Sequence, residues 1–355
     1  MVKPLNRRYY NMHYQPRLDT LRFFSVILVI ISHWLPSSEL IKAIPYLGNI
    51  GVSFFFVLSG YLITNNLIKL KNQSLLNSFK IFYINRSLRI FPIYYLLLFV
   101  IIIFIPSFYD SSFKYYLTYL TNFEIYRLNY WPEEFSHLWS LAIEEQFYLF
   151  WPIVVLLLPL RKLKASIFIT FFIASTFKIS TFLALSSSFI DLLPYSQFDL
   201  FMFGAFLSIY KPIIDYKLQV LKNYQWMFIL ISLCLLVYLT GSSYLVKNIT
   251  LGFLSIFLIS STSLSNWIIK VTDLKVFVFL GKISYGLYLY HNFIPLIERN
   301  LVGIESKNKF MKPILPNIEL PIYHLFLQCI LLLMICVLSW FLIEKRILKL
   351  KKTNY

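Results

Sequence analysis

The sequence predicts an all-α integral membrane protein of about ten transmembrane helices, with both termini on the cytoplasmic side. Three observations carry this prediction. Of 355 residues, 58% are hydrophobic and only 14% charged, with a mean hydropathy of +0.68, which is too apolar for a soluble chain of this length. Apolar runs recur from end to end, as over 90–105, 167–173, 228–239 and 325–342, and a helix crosses the bilayer with about 20 such residues. The stretches between the runs alternate in charge, one side basic and the other mixed or acidic, which is the mark of fixed membrane orientation. The net charge of +17 therefore reads as topology and not as nucleic-acid binding.

Taken in order, the predicted spans are 19–37, 46–64, 88–106, 136–158, 165–185, 192–210, 225–241, 248–265, 277–297 and 321–343. The first follows a basic tail and imitates a signal peptide. However, Arg22 and His33 inside it, and the lack of a small-x-small site after it, predict a retained helix. The second, sixth and ninth are the least hydrophobic and contain glycine and polar residues. The cytoplasmic set of loops carries most of the 33 lysines and arginines, among them Lys69, Lys71, Arg86, Arg161, Lys217, Lys282 and Arg346. The opposite set carries Asp110, Glu124, Glu133, Glu134, Glu298 and Glu305 beside fewer cations. The chain reads as one membrane domain over 1–355, with short basic tails at 1–17 and 344–355. Cys234, Cys329 and Cys336 sit in apolar runs without metal-ligand spacing, so no metal is predicted.

Polar groups within these spans are costly in lipid and face a protein interior or a wet cavity. Their depths follow from helix direction and rise. His33 lies roughly 16 Å above Arg22, in the outer half of the bilayer. Glu144 and Glu145 lie roughly 10–12 Å below the outer surface. Asp199 occupies the outer half of the sixth span, and His291 stands about 13 Å above Lys282 on the ninth. Four helices thus offer His33, Glu144, Asp199 and His291 at one height, the pattern of a buried acid–base centre in which a carboxylate fixes the histidine tautomer. A proton or ion pathway is the other reading of the same residues, and mutual structural satisfaction a third. Glu144 is expected to face the centre in preference to Glu145, because neighbours on a helix point about 100° apart. At the cytoplasmic ends, Arg86 and Arg89 share a helix face, a pairing suited to phosphate as well as to plain snorkelling. Gly51 and Gly60 on the second span suit close helix packing or the lining of a narrow channel. Near the outer mouth, His137 and Trp139 suit either glycan contact or interfacial anchoring.

Five blocks in order give the chain a resemblance. They are Arg17-Leu18-Asp19-Thr20-Leu21-Arg22 with His33, the glycine block 51–64, Arg86-Ser87-Leu88-Arg89 running on to Tyr95, the block 137–152, and the block 281–291. Across about 17–295 the chain resembles the acyltransferase-3 family of integral membrane O-acyltransferases, in the form without an appended soluble domain. The resemblance implies transfer of an acyl group, usually acetyl from cytoplasmic acetyl-CoA, to a hydroxyl of an extracytoplasmic glycan. Implied acceptors are lipopolysaccharide O-antigen, capsule, exopolysaccharide, or some lipids and small molecules. It implies a bacterial inner-membrane location and an Arg-x10-His pair, here Arg22 and His33, with Asp19 in the same block. Arg86 and Arg89 would anchor the donor nucleotide. His33 would act as general base or transient acyl carrier beside Glu144, with Glu145, Asp199, His291, His137 and Trp139 as supporting or acceptor-binding residues. A glycan or lipid transporter using these groups as a proton relay is the competing function; it would show paired inverted repeats, and none is seen in the sequence.

Overall fold

The computed structural model describes residues 15–35, 44, 46–105, 110–183, 188–220, 244–261, 270–302 and 321–351. The predicted seventh span and Cys234 lie outside these residues. Within them the secondary structure is helical: α1 (Pro16–Trp34), α2 (Leu47–Leu70), α3 (Leu75–Phe104), α4 (Phe113–Leu117), α5 (Thr121–Leu128), α6 (Leu138–Leu157), α7 (Leu160–Leu183), α8 (Pro194–Val220), α9 (Tyr244–Ser261), α10 (Lys275–Lys282), α11 (Ser284–Tyr290), α12 (Ile294–Val302), α13 (Pro321–Ser339) and α14 (Lys345–Leu348). Among the described residues, five helical stretches are long and apolar enough to cross a membrane: Leu47–Leu70, Leu75–Phe104, Leu138–Leu157, Leu160–Thr181 and Ile322–Leu348. The shorter Val246–Ser260 is apolar too. α1 has spanning length, but its first two turns carry Arg17, Asp19 and Arg22.

The apolar side chains point outward as well as inward, as lipid in place of water requires. Leu96, Phe99 and Ile103 are exposed along α3, and Phe326, Ile330 and Leu333 along α13. α2 is the opposite case. Of its spanning stretch 72% is buried, against 22% for the last one, which makes α2 the central helix. Its glycines explain the enclosure. A Cβ on Gly60 would strike the backbone of Phe201 on α8, and one on Gly204 would strike the backbone of Val57 and Tyr61 in return. Gly51 is pressed in the same way on the Ser25 carbonyl of α1. Small residues permit such backbone approach where lipid supplies no hydrophobic drive between helices.

The predicted ninth span is corrected. It is not one helix over 277–297 but a broken rod: α10, a bend at Ile283, α11, a 3-10 turn at His291–Phe293, then α12. The break falls beside Gly281, which lies against the backbone of Asp19 on α1, so contact and not hydropathy sets the end of α10. The last long helix also departs from α geometry, through a π turn at Trp340–Glu344. The segment between α3 and α6 folds as a packed cap. Tyr94 stacks on Tyr119 at 4.2 Å, Tyr116 stacks on Phe135 at 4.2 Å, and buried Glu124 takes hydrogen bonds from Arg127 (2.7 Å) and Ser112 (2.6 Å).

A buried ion pair joins α7 to α8. The Nζ of Lys178 lies 2.5 Å from Oδ2 of Asp199, and both side chains are enclosed. Asn248 of α9 donates to the other carboxylate oxygen at 3.5 Å. Removing one member of such a pair strands a charge, whereas replacing both with apolar groups does not. Asp199→Ala alone is therefore expected to destabilise the protein by about 3–5 kcal/mol. Lys178→Met with Asp199→Leu should unfold near wild type, and thermal unfolding of the purified protein in detergent reads the difference.

Candidate active site

The site is built along the inside of α1, α2, α3, α6 and the broken rod, and it begins at their basic ends. There a cavity of about 460 Å³ is bordered by Arg22, Lys69, Arg89, Lys282, Asn65 and Glu344. Arg22 is steadied by Asp19, one turn away, at 2.6 Å. The carboxylate of Glu344 enters through the π turn and accepts a hydrogen bond from Ser339 at 3.1 Å. Lys351, just past α14, is pulled down to about 7 by burial and by Arg89, Arg86 and Arg22. Cations crowded in this way match a polyanionic ligand.

Arg86 and Arg89 divide between two chambers. Arg89 and Arg22 border both the large cavity and a deeper hollow of about 30 Å³, whereas Arg86 borders only the hollow. The Arg86 guanidinium lies 5.0 Å from the ring centroid of Tyr148. Glu144 and Glu145 both border this hollow, and of the two Glu144 also borders the gap beyond it. A cavity has width, and side chains 100° apart on α6 reach its two sides. Glu144 is the one fixed by hydrogen bonds. Its Oε1 accepts from Ser59 and from Tyr148, the latter at 2.6 Å.

Beyond Glu144 the space narrows to a gap of about 10 Å³ between α1, α2, α6 and α11, bordered by Ser25, Gly51, Phe56, Ser140, Glu144 and Tyr288. Ser140 and Tyr288 share a hydrogen bond of 2.5 Å, and the Tyr288 hydroxyl donates to the carbonyl of His137 at 3.0 Å. Through that bond the lining of the gap joins the first of three histidines in a row. The rings of His33 and His291 are 5.1 Å apart by centroid, and those of His291 and His137 are 4.9 Å apart. His33 is exposed on the last turn of α1, while His291 and His137 are buried. Trp34, beside His33, donates to the His291 carbonyl at 3.1 Å, which ties α1 to the 3-10 turn.

Several sequence-predicted groupings change. Glu144 does not partner His33. Glu144 is held by Ser59 and Tyr148, and the ring next to His33 is that of His291. Asp199 is not in this cluster, because it is taken up by Lys178 and Asn248. Trp139 is buried edge-on against Phe56 at 6.1 Å, so neither it nor buried His137 presents a surface for a glycan. Ser59, Ser140, Tyr148 and Tyr288 were not singled out from sequence. Only Tyr148 carried a local signal, its i+4 spacing from Glu144 on one helix face.

Residues 15–344 match the acyltransferase-3 family, described as an acyltransferase domain. A protein of Staphylococcus aureus (strain MSSA476), provisionally named an O-acetyltransferase, is 29% identical over 80% of this chain and 51% of its own length. The O-acetyltransferase OatA of S. aureus (strain NCTC 8325 / PS 47) is 27% identical over 96% of this chain and 58% of its own. The peptidoglycan O-acetyltransferase OatA of Listeria monocytogenes (strain EGD-e) is 38% identical over 41% of this chain and 25% of its own. The chain therefore spans about half the length of these curated S. aureus relatives. No solved structure matches it.

The hydrogen bonds at Glu144 make a direct prediction. Glu144→Gln keeps an oxygen for the Ser59 and Tyr148 hydroxyls and should unfold close to wild type. Glu144→Ala strands buried polar groups and is expected to cost about 1–3 kcal/mol, read as a lower unfolding temperature in detergent.

Proposed function

The chain belongs to the acyltransferase-3 family, and on that premise we propose that it is a membrane O-acyltransferase drawing on cytoplasmic acyl-CoA, with acetyl-CoA as the expected donor. The acceptor in this proposal is a hydroxyl of an extracytoplasmic glycan. Lipopolysaccharide O-antigen, capsule and exopolysaccharide belong to that class, and the name of the Listeria relative adds peptidoglycan. The protein sits in the bacterial cytoplasmic membrane as one multi-pass unit of ten spans, with the basic cavity facing the cytoplasm as the charge distribution of its loops implies.

The observation that carries this reading is the line of spaces that runs from the basic cavity past Glu144 to Ser140 and Tyr288, whose hydroxyls bond to one another and to the His137 carbonyl. CoA is a polyanion and does not cross lipid. Its phosphates would rest on Arg89, Arg22, Lys69 and Lys282, and its slender arm would enter the hollow beside Arg86, Glu144 and Tyr148. The hollow and gap are narrow in this structure, so the thioester reaches the histidines only as side chains such as Phe56 give way. At His33 the acceptor oxygen bonds to the acyl carbon, the C–S bond breaks with its electrons on sulfur, and the hydroxyl proton goes to the imidazole. In the variant route His33 takes the acyl group first and hands it to the hydroxyl. Asp19 holds Arg22 for its part in the donor site, and Glu144 orients the interior polar groups.

Purified full-length protein in liposomes, supplied with acetyl-CoA and a glycan, is expected to release thiol and acylate the glycan, both read by mass spectrometry. His33→Ala should lower that turnover by about 100-fold or more. A wild type that consumes no acyl-CoA with any hydroxyl acceptor, yet moves glycan across the bilayer, would replace this function with transport. Arg89→Ala and Arg86→Ala are each expected to weaken acetyl-CoA binding about tenfold or more, with glycan binding retained.

Lys351 adds a pH dependence. Its proton is lost as pH rises through about 7 in the free protein, and a bound polyanion favours the charged form and raises that value. Acetyl-CoA binding should therefore take up a proton above pH 7, and affinity should decline as pH rises from there. Titration calorimetry in two buffers measures the uptake, and Lys351→Met should lower it relative to wild type.

A further inference from the structure

The histidine row contains more than acyl transfer at His33 uses. Nδ1 of His291 lies 2.6 Å from the carbonyl oxygen of Tyr288, and Nε2 of His137 lies 3.1 Å from that of Leu289. A carbonyl only accepts, so these nitrogens carry the protons of the neutral rings and the other nitrogen of each is a lone pair. Those two nitrogens, Nε2 of His291 and Nδ1 of His137, are buried without a hydrogen-bond partner. A buried polar atom left unpaired is destabilising by about 1–3 kcal/mol, and here two occur in adjacent rings 4.9 Å apart. Metal ligation would relieve them, but among the described residues no group of three or more His, Cys, Asp or Glu is arranged to hold an ion. A proton is the other occupant that a lone pair takes; burial and the neighbouring imidazoles make its charge costly, so it is held only in passing, and the ring beside the pair is that of exposed His33, its centroid 5.1 Å from that of His291.

We propose that His291, backed by His137, accepts the ring proton that His33 must shed during acyl transfer. The inference rests on the O-acyltransferase reading and assigns the pair a task within it. By either route His33 becomes cationic: as a base it gains the hydroxyl proton on one nitrogen, and as a carrier it gains the acyl carbon there. It then gives the proton on its other nitrogen to Nε2 of His291, and the resulting cation finds a lone pair on His137. The thiolate takes its own proton from water in the basic cavity. When the ester has left, the proton returns through His33 to solvent and the row is neutral again. The Tyr288 carbonyl sets which nitrogen of His291 is free, and the Trp34 bond to the His291 carbonyl holds the two rings in register. His291 acts through His33 and is thus a positioning residue, whereas a carboxylate in its place would leave a permanent charge at the centre.

The test uses full-length protein in detergent, acetyl-CoA, and a soluble β-1,4-linked N-acetylglucosamine oligomer as acceptor. His291→Asn retains an N–H that can serve the Tyr288 carbonyl but has no basic lone pair. Its turnover is expected to fall about 100-fold, with acetyl-CoA affinity within twofold of wild type. In His291→Ala, added imidazoles should restore turnover in proportion to their basicity, a dependence that a packing role does not produce. Asn turnover within threefold of wild type, or rescue indifferent to the basicity of the added imidazole, would overturn the inference while leaving acyl transfer in place. If the Ala variant does not fold, the Asn variant decides alone. A wild type that turns over no acetyl-CoA with this or any other hydroxyl acceptor removes the parent reading, and this one with it.

Discussion

Backbone contact at glycine is the constraint on which the rest of the structure depends. α2 lies at the centre because Gly60 and Gly204 let it meet α8 with no side chain between them, and because Gly51 does the same toward α1. Helices at ordinary separation are held apart by their side chains, at axial distances of about 8–10 Å. The closer approach places Ser59, the neighbour of Gly60, against Glu144 of α6. The same kind of contact at Gly281 seats α10 on the start of α1 and leads the chain through the bend and 3-10 turn that bring His291 to His33. Each polar centre is thus a consequence of a backbone contact some residues away.

The polar interior consists of two centres, not one. The first is the carboxylate group of Glu144 with its serine and tyrosine donors, next to Arg86 and Arg22. The second is the row of imidazoles. His137 and Glu144 stand on the same helix seven residues apart, about 10 Å of rise, and the Ser140–Tyr288 pair lies between them. Separation suits the reaction proposed above, which would begin with a polyanion on one side of a membrane and end on a neutral hydroxyl on the other. Arginines beside the acyl acceptor would hold its histidine in the wrong electrostatic setting, and imidazoles at the donor end would bind phosphate less firmly than guanidinium does.

Much of this was legible beforehand, and the parts that were not share a cause. Hydropathy located α2, α6 and α13 within a few residues, since a bilayer imposes length and composition directly on each helix. It did not show that the ninth span breaks at Ile283 or that a π turn follows α13, because neither breaks the apolar run. Rise per residue placed His33, Glu144, Asp199 and His291 at comparable heights. It could not tell Asp199, which faces Lys178, from His291, which faces His33, since height on a helix says nothing of the direction in which a side chain points. Trp139, open between glycan contact and interfacial anchoring, lies buried against Phe56 for the same reason: depth and azimuth are independent.

What the sequence determined by itself is the solvent and the inventory: apolar helices suited to lipid, and a small set of ionisable groups too costly to be there without partners. Tertiary structure alone decided the partnerships. They depend on the rotation of each helix about its axis, and that rotation is set by where glycines on different helices meet. The pairing of His33 with an imidazole in place of the expected carboxylate is a decision of that kind, made between segments more than 250 residues apart.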